Sequence, residues 1–408
     1  MPSPDLWTDF NTICDFGGRL QGTPGCAAAF EFVAARLGEL GEVQHAPTPY
    51  HGWTLDELRL ATPEGTLLAA MSLIGSAPIA DCALEVLDLG RGTPEDVAAA
   101  GSAVRGRAVM VRHEYSFAPG AMHRRHKLRA AAEAGAAAIL LVQPVPGIGA
   151  VSGWANACPI PVVGLGIEAA RQLVAAGGCR LLLRARHHPA IVENLVLDLP
   201  GSGPERIVLS AHLDGHAPAE SAIDNACGVA ALLELARSTR RTARGLTICV
   251  FGAEEWALSG SRGWLRTLAP DAIAAMTANL NLDSIVGSPN LTALTSGFPA
   301  LSAQVAPMIA VHEPLQVSSD HASFAAQGVP ALRLMAGFGE PDCAVSRLLT
   351  AADTRALVAE PELRTVTATA GALLRHLRDL PAGDGARLRA NARNAGPAME
   401  MMAALPKV

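Results

Sequence analysis

Aromatic residues make up only 4% of this 408-residue chain, against abundant alanine, glycine and arginine. That scarcity is a compositional habit and says little about function. Other absences exclude more. There is no excess of positive charge: the formal net charge is -6, whereas a nucleic-acid binder carries a basic footprint. There is no long apolar run. The longest, around residues 130–142, is broken by Glu133 and is too short to cross a bilayer. The first residues, MPSPDLWTDFNTICDF, lack a basic segment followed by an apolar one, so no secretory signal is read and a cytoplasmic location is expected. The eight cysteines form no Cys-x-x-Cys pair and are expected to be reduced thiols. What is present is a 50% hydrophobic chain, long enough for two or three domains and a large core.

The chain is organised around residues 207–237. Ile207, Val208 and Leu209 read as a short buried strand after a Pro/Gly/Ser turn, and Val229, Leu232, Leu233 and Leu235 read as a helix. Between them stand His212, Asp214 and Asp224. In extended chain, His212 and Asp214 point to the same side. Further on, residues 246–251 read as a buried strand ending at Glu254-Glu255, and residues 279–283 as one ending at Asp283. Ser318-Ser319-Asp320-His321 precedes a short helix and a strand at 331–335. Strands alternating with helices imply a mainly parallel sheet, which binds ligands beyond the carboxyl ends of its strands.

Residues 6–48 read as helical, with stops at Gly38 and Gly41. Residues 50–188 read as a separate mixed unit. Its strands are expected at 83–87, 107–111, 138–142, 160–163 and 180–184, and its helices at 128–134 and 167–176. The basic cluster His123-Arg124-Arg125-His126 reads as a solvated face. From residue 381 the chain is expected to be loose, with a turn of helix at 398–405.

Imidazole and carboxylate ligands suit zinc, and also manganese or cobalt. Two such metals about 3.5–4 Å apart can clamp a hydrolytic water. Asp224 is placed to reach both. Adjacent glutamates can divide the remaining work: Glu255 as ligand, Glu254 as the proton carrier. Asp214 is expected to fix the tautomer of His212. Taken singly, Asp224 could be an ordinary N-cap and Glu254-Glu255 an acidic first turn. Several strand ends carrying ligand-type residues argue for a site.

The segments Ser210-Ala-His212-Leu-Asp214, Asp224-Asn-Ala-Cys-Gly228, Ala253-Glu254-Glu255-Trp-Ala-Leu-Ser-Gly-Ser261, Asn281-Leu-Asp283 and Ser319-Asp320-His321 resemble the two-zinc aminopeptidase and glutamate carboxypeptidase family. Residues 50–188 are similar to the protease-associated domain that many members carry. The resemblance implies an α/β fold: a doubly wound, mainly parallel zinc-exopeptidase domain from residues 1–49 and 189–380, interrupted by a smaller mixed α/β domain. It implies one metal on His212, Asp224 and Asp283, another on Asp224 and Glu255, and Glu254 as general base. The family usually adds a histidine in a His-Thr-x-x-Asp-Thr segment. The matching stretch here places Leu349 at the ligand position. One zinc is therefore expected to be tight and a second labile or held by His321, with His216 the poorer substitute because its loop is rich in Gly, Pro and Ala.

The expected function is metal-dependent hydrolysis of peptide or small amide bonds by an aminopeptidase-like exopeptidase, with no nucleic-acid or membrane partner. His216 and Arg333 are possible contributors to substrate choice. The alternatives are a single-zinc glutaminyl cyclase-like acyltransferase and a silenced binding protein on the same fold.

Overall fold

A computed structural model describes residues 5–393 and Met402. The apolar runs at 207–209 and 246–251 sit at the centre of an eight-stranded sheet. Its strand order is Val43–His45, Leu195–Leu199, Gly245–Phe251, Arg206–His212, Met276–Leu282, Ala331–Ala336, Leu291–Leu294, Ala310–His312. Strand Arg206–His212 runs parallel to both of its neighbours, and antiparallel pairings join Leu195–Leu199 and Leu291–Leu294 to the sheet. Each of these three central strands is buried almost throughout, as continuous hydrophobic strands covered on both faces should be. Helices Asp5–Asp15, Cys227–Arg237 and Glu360–Asp379 pack together against the sheet. Helices Ser259–Thr267 and His321–Ala326 meet it through the rings of Phe251, Trp264 and Phe324.

A second, seven-stranded sheet is built from residues 48–192. Strands Ile79–Asp88, Ala108–Arg112, Ala138–Gln143 and Val162–Gly166 are parallel neighbours in that order. The chain enters along Thr48–Ala61 and leaves along Gly178–Val192. These two strands pair antiparallel from Thr48↔Val192 to Ala61↔Arg180.

Three expectations differ from the structure. Residues 43–45 are a strand, not the end of a helical run, because Leu195–Leu199 offers an open edge. Thr48–Ala61 reads poorly as a strand, since Pro49, Gly52, Asp56 and Glu57 are all depleted in strands, yet its long ladder overrides propensity. The segment expected to be loose begins with a helix, Asp384–Arg389. Leu388 is buried, and Arg389 donates to the carbonyls of Ile273 and Met276 at 3.1 and 2.7 Å. The turn of helix expected at 398–405 lies outside the described residues apart from Met402. Among the described residues, no helix is long and apolar enough to cross a membrane.

Candidate metal centre

The carboxyl ends of the central strands bring His212, Asp224 and Asp283 together. One ligand-type atom from each lies within 4.8 Å of the others. His212 Nε2 is 3.1 Å from Asp224 Oδ1 and 3.6 Å from Asp283 Oδ1. Its Nδ1 lies 3.0 Å from the Asp214 backbone carbonyl, which fixes the ring orientation. Asp224 is held from behind: the Asp353 carboxylate accepts from the backbone N–H of Ile223 and Asp224 at 2.8 and 3.2 Å. The Asn225 side chain donates to the Leu282 carbonyl and accepts from the N–H of Gly228 and Ser284, lacing the strand ends to the helix start. Gly228 is required there, because a Cβ would strike both the Asn225 side chain and the Leu282 carbonyl. Arg333 pairs with Asp283 Oδ1 at 3.0 Å, also donates to the Ser318 carbonyl, and lies over the Phe117 ring.

The second acidic element follows strand Gly245–Phe251. The Asp214 carboxylate accepts from the N–H of Glu254 and Glu255 at 3.1 and 3.3 Å. Glu255 Oε1 stands 2.7 Å from His216 Nε2. The loop carrying Asp214 and His216 is anchored by Arg19, 1% exposed, which donates to the carbonyls of Leu213, Gly17, Glu220 and Ser221.

Four buried carboxyl groups in one place repel one another. Burial chiefly, then Glu255 and Asp283, pushes the Asp224 pKa up. Burial does the same for Glu254, with Glu255, Asp283 and Asp320 adding to it against His212. Burial alone would also raise Asp283, but Arg333 and His212 hold it below the ordinary carboxylate range. Such crowding suits a cation. His212 Nε2, His216 Nε2 and Glu255 Oε1 are buried atoms that make no hydrogen bond. Imidazole and carboxylate donors left open in this way fit a zinc-type ion.

A cavity of about 1410 Å³ opens above these groups. Asp224, Glu254, Glu255 and Asp283 form its floor, while His113, His123, Arg124, Arg125 and His126 from the second sheet's unit line the other side. Burial pushes the Arg124 pKa down to about 10, with Glu255 working the other way. The guanidinium donates to the Trp154 carbonyl at 3.0 Å.

Residues 194–372 match the model of peptidase family M28. Residues 72–173 match the PA domain. The probable lipoprotein aminopeptidase LpqL of Mycobacterium tuberculosis is 30% identical over 168 residues, 40% of this chain and 33% of that protein. Leupeptin-inactivating enzyme 1 of Streptomyces exfoliatus is 33% identical over 124 residues, 29% of this chain and 28% of its own length. The chain thus spans about a third of the length of these two relatives. In fold, it is similar to a zinc aminopeptidase from Bacillus subtilis, with a TM-score of 0.73 at 20% identity over 90% of this chain and 93% of that one.

Several site residues stand differently from the expected placements. The Asp214 carboxylate is spent on the Glu254 and Glu255 amides; its oxygen is 3.8 Å from His212 Nδ1, and the backbone carbonyl makes the closer contact. His321 begins helix His321–Ala326, where it is fully buried and does not line the cavity. The imidazole beside Glu255 is His216, whose loop is not loose because Arg19 and Ser221 hold it. A second histidine two residues past Asp214 was the readable signal for this, although the strand itself stops at His212. Arg333 serves Asp283. The basic cluster at 123–126 faces the cavity, not open solvent.

Proposed function

We propose that the chain is a metal-dependent hydrolase of peptide or small amide bonds, acting as an aminopeptidase-like exopeptidase. The observation that carries this reading is the convergence of His212, Asp224 and Asp283, with Glu254 in the same cavity. Zinc is the metal we assign, with manganese and cobalt as less favoured occupants. An ion held by His212, Asp224 and Asp283 supplies Lewis-acid chemistry to a water and a carbonyl.

The remaining work falls to the chain's own groups. Arg333 keeps Asp283 charged, and the Asp214 carbonyl keeps the His212 ring turned towards the ligand group. Glu254 is our general base. It lines the cavity beside the ligand carboxylates without being counted among them, placed to take a proton from the water and return it to the leaving nitrogen. The water oxygen ends on the carbonyl carbon, the C–N bond breaks, and the proton leaves with the amine. We assign residues 1–49 and 189–380 to the catalytic unit and 50–188 to the insertion, supported by the meeting of Thr48 and Val192. A cytoplasmic setting is our reading of the eight free cysteines.

Release of chromophore from aminoacyl anilides tests the reading. Cleavage of the free-amine substrate, sparing of its N-acetyl form, and loss of activity with chelator are expected. Indifference to chelator sinks the metal-dependent reading. Cyclisation of an N-terminal glutamine without amide hydrolysis establishes the acyltransferase alternative instead, and no turnover at all the silenced one.

A further inference from the structure

Leu349 leaves the second side of the centre short of an imidazole, and the structure has another one there. We propose that His216 supplies it, so that a second zinc ion is held by His216, Glu255 and Asp224. This inference rests on the reading of His212, Asp224 and Asp283 as the first ion's ligands.

His216 is built like His212. Each ring has an oxygen on Nδ1 and a carboxylate on Nε2. For His212 these are the Asp214 carbonyl at 3.0 Å and Asp224 at 3.1 Å. For His216 they are the Ser152 hydroxyl at 3.1 Å and Glu255 at 2.7 Å. An imidazole that gives its Nδ1 proton to an oxygen presents a lone pair at Nε2, and a lone pair facing a carboxylate calls for a proton or a metal ion between them. Ligand histidines are commonly fixed in this way through their other nitrogen. His216 is 2% exposed, and its Nε2 and Glu255 Oε1 face only each other. Two ligands of a tetrahedral zinc stand roughly 3.3 Å apart at ordinary Zn–N and Zn–O lengths, so the pair opens slightly to admit the ion.

Ser152 belongs to the second sheet's unit, and its backbone N–H donates to the Leu349 carbonyl at 2.7 Å. Leu349 adopts the left-handed region, φ 65°, and its side chain packs towards that unit's core. The residue that cannot bind metal thereby seats the serine that orients the replacement. Among the described residues, only His212, Asp224 and Asp283 close to within 4.8 Å, so Asp224 must turn to share itself. The second ion should accordingly be the weaker.

Zinc alone, titrated into chelator-stripped full-length protein by calorimetry, with metal counted by mass spectrometry, tests the proposal. Two ions of unequal affinity are expected. His216→Ala should lose the weaker ion and keep the tighter. Ser152→Ala, which leaves His216 in place, should keep both but weaken the second about 10–100-fold. His216→Gln covers the case in which the alanine variant fails to fold. A single ion in the native chain, or two ions unaffected by all three substitutions, overturns the proposal. Two ions that respond to His216 in a protein cleaving no amide would leave this inference standing and remove the proposed function. Amide cleavage with an isotherm indifferent to His216 would do the reverse.

Discussion

The floor and the roof of the cavity are made differently. The floor's acids stand at the ends of buried parallel strands, braced by backbone bonds from Asp353, Asn225 and Asp214. The roof's cations open helix Arg124–Glu133, with Arg124 and Arg125 in its first turn. Cations at the positive end of a helix are unfavourable. A residue set that defies local preference and faces a cavity marks a functional place more clearly than one that obeys it. The floor follows the rules of its fold, so it is legible as a site only through the chemistry of its residues. The roof breaks those rules.

The largest expected effect tests the floor's chemistry. Glu254→Gln should lower turnover by roughly 10²–10⁴ while bound zinc stays unchanged. Loss of zinc together with activity would make Glu254 a ligand and erase its distinction from Glu255. Next comes the floor's foundation. Arg19→Met strips charged donors from several buried carbonyls and should cost about 3 kcal/mol or more in urea denaturation. A change under about 1 kcal/mol would mean the loop holding Asp214 and His216 stands without it. The last effect, smallest at any one step of pH, concerns the roof. Burial, aided by Arg124 and Lys127, pushes the His113 pKa down to about 3. Below pH 6.5 the unfolded chain takes up this proton and the folded one does not. Stability therefore falls as pH drops from 6.5 towards 3, by about 1 kcal/mol per unit from this group. His113→Asn should flatten the acid limb of denaturation by that amount. An unchanged slope would place the roof's acid sensitivity elsewhere.

Much of the floor was legible in the sequence. Strand ends carrying His212, Glu254, Glu255 and Asp283 announce themselves by apolar runs that stop at ligand-type residues. What escaped depends on distance in space. Nothing near Ser152 signals that it meets His216, 64 residues later. Nothing beside Arg333 signals that it serves Asp283, 50 residues earlier. His321 looked better than His216 because a Ser-Asp-His run reads as a site and a Gly/Pro/Ala loop reads as slack. The loop is held by Arg19, 194 residues from the carbonyl of Leu213. The fold escaped at its edges for a related reason: Val43–His45 and Thr48–Ala61 become strands only when remote partners supply their ladders.

The paired strands Thr48–Ala61 and Gly178–Val192 also bear on the order of assembly. Strand Val43–His45 must find Leu195–Leu199, and helix Asp5–Asp15 must find Cys227–Arg237, across everything between them. Closing so long a loop in an unstructured chain is entropically costly and slow. Once the intervening residues have folded on themselves, Thr48 and Val192 are already neighbours. For the strand pair the loop then shrinks, kinetically, to the few residues flanking the ribbon, and for the helix pair it is shortened by the whole of the folded unit. The unit that roofs the cavity is thus also the splint that joins the two pieces of the core.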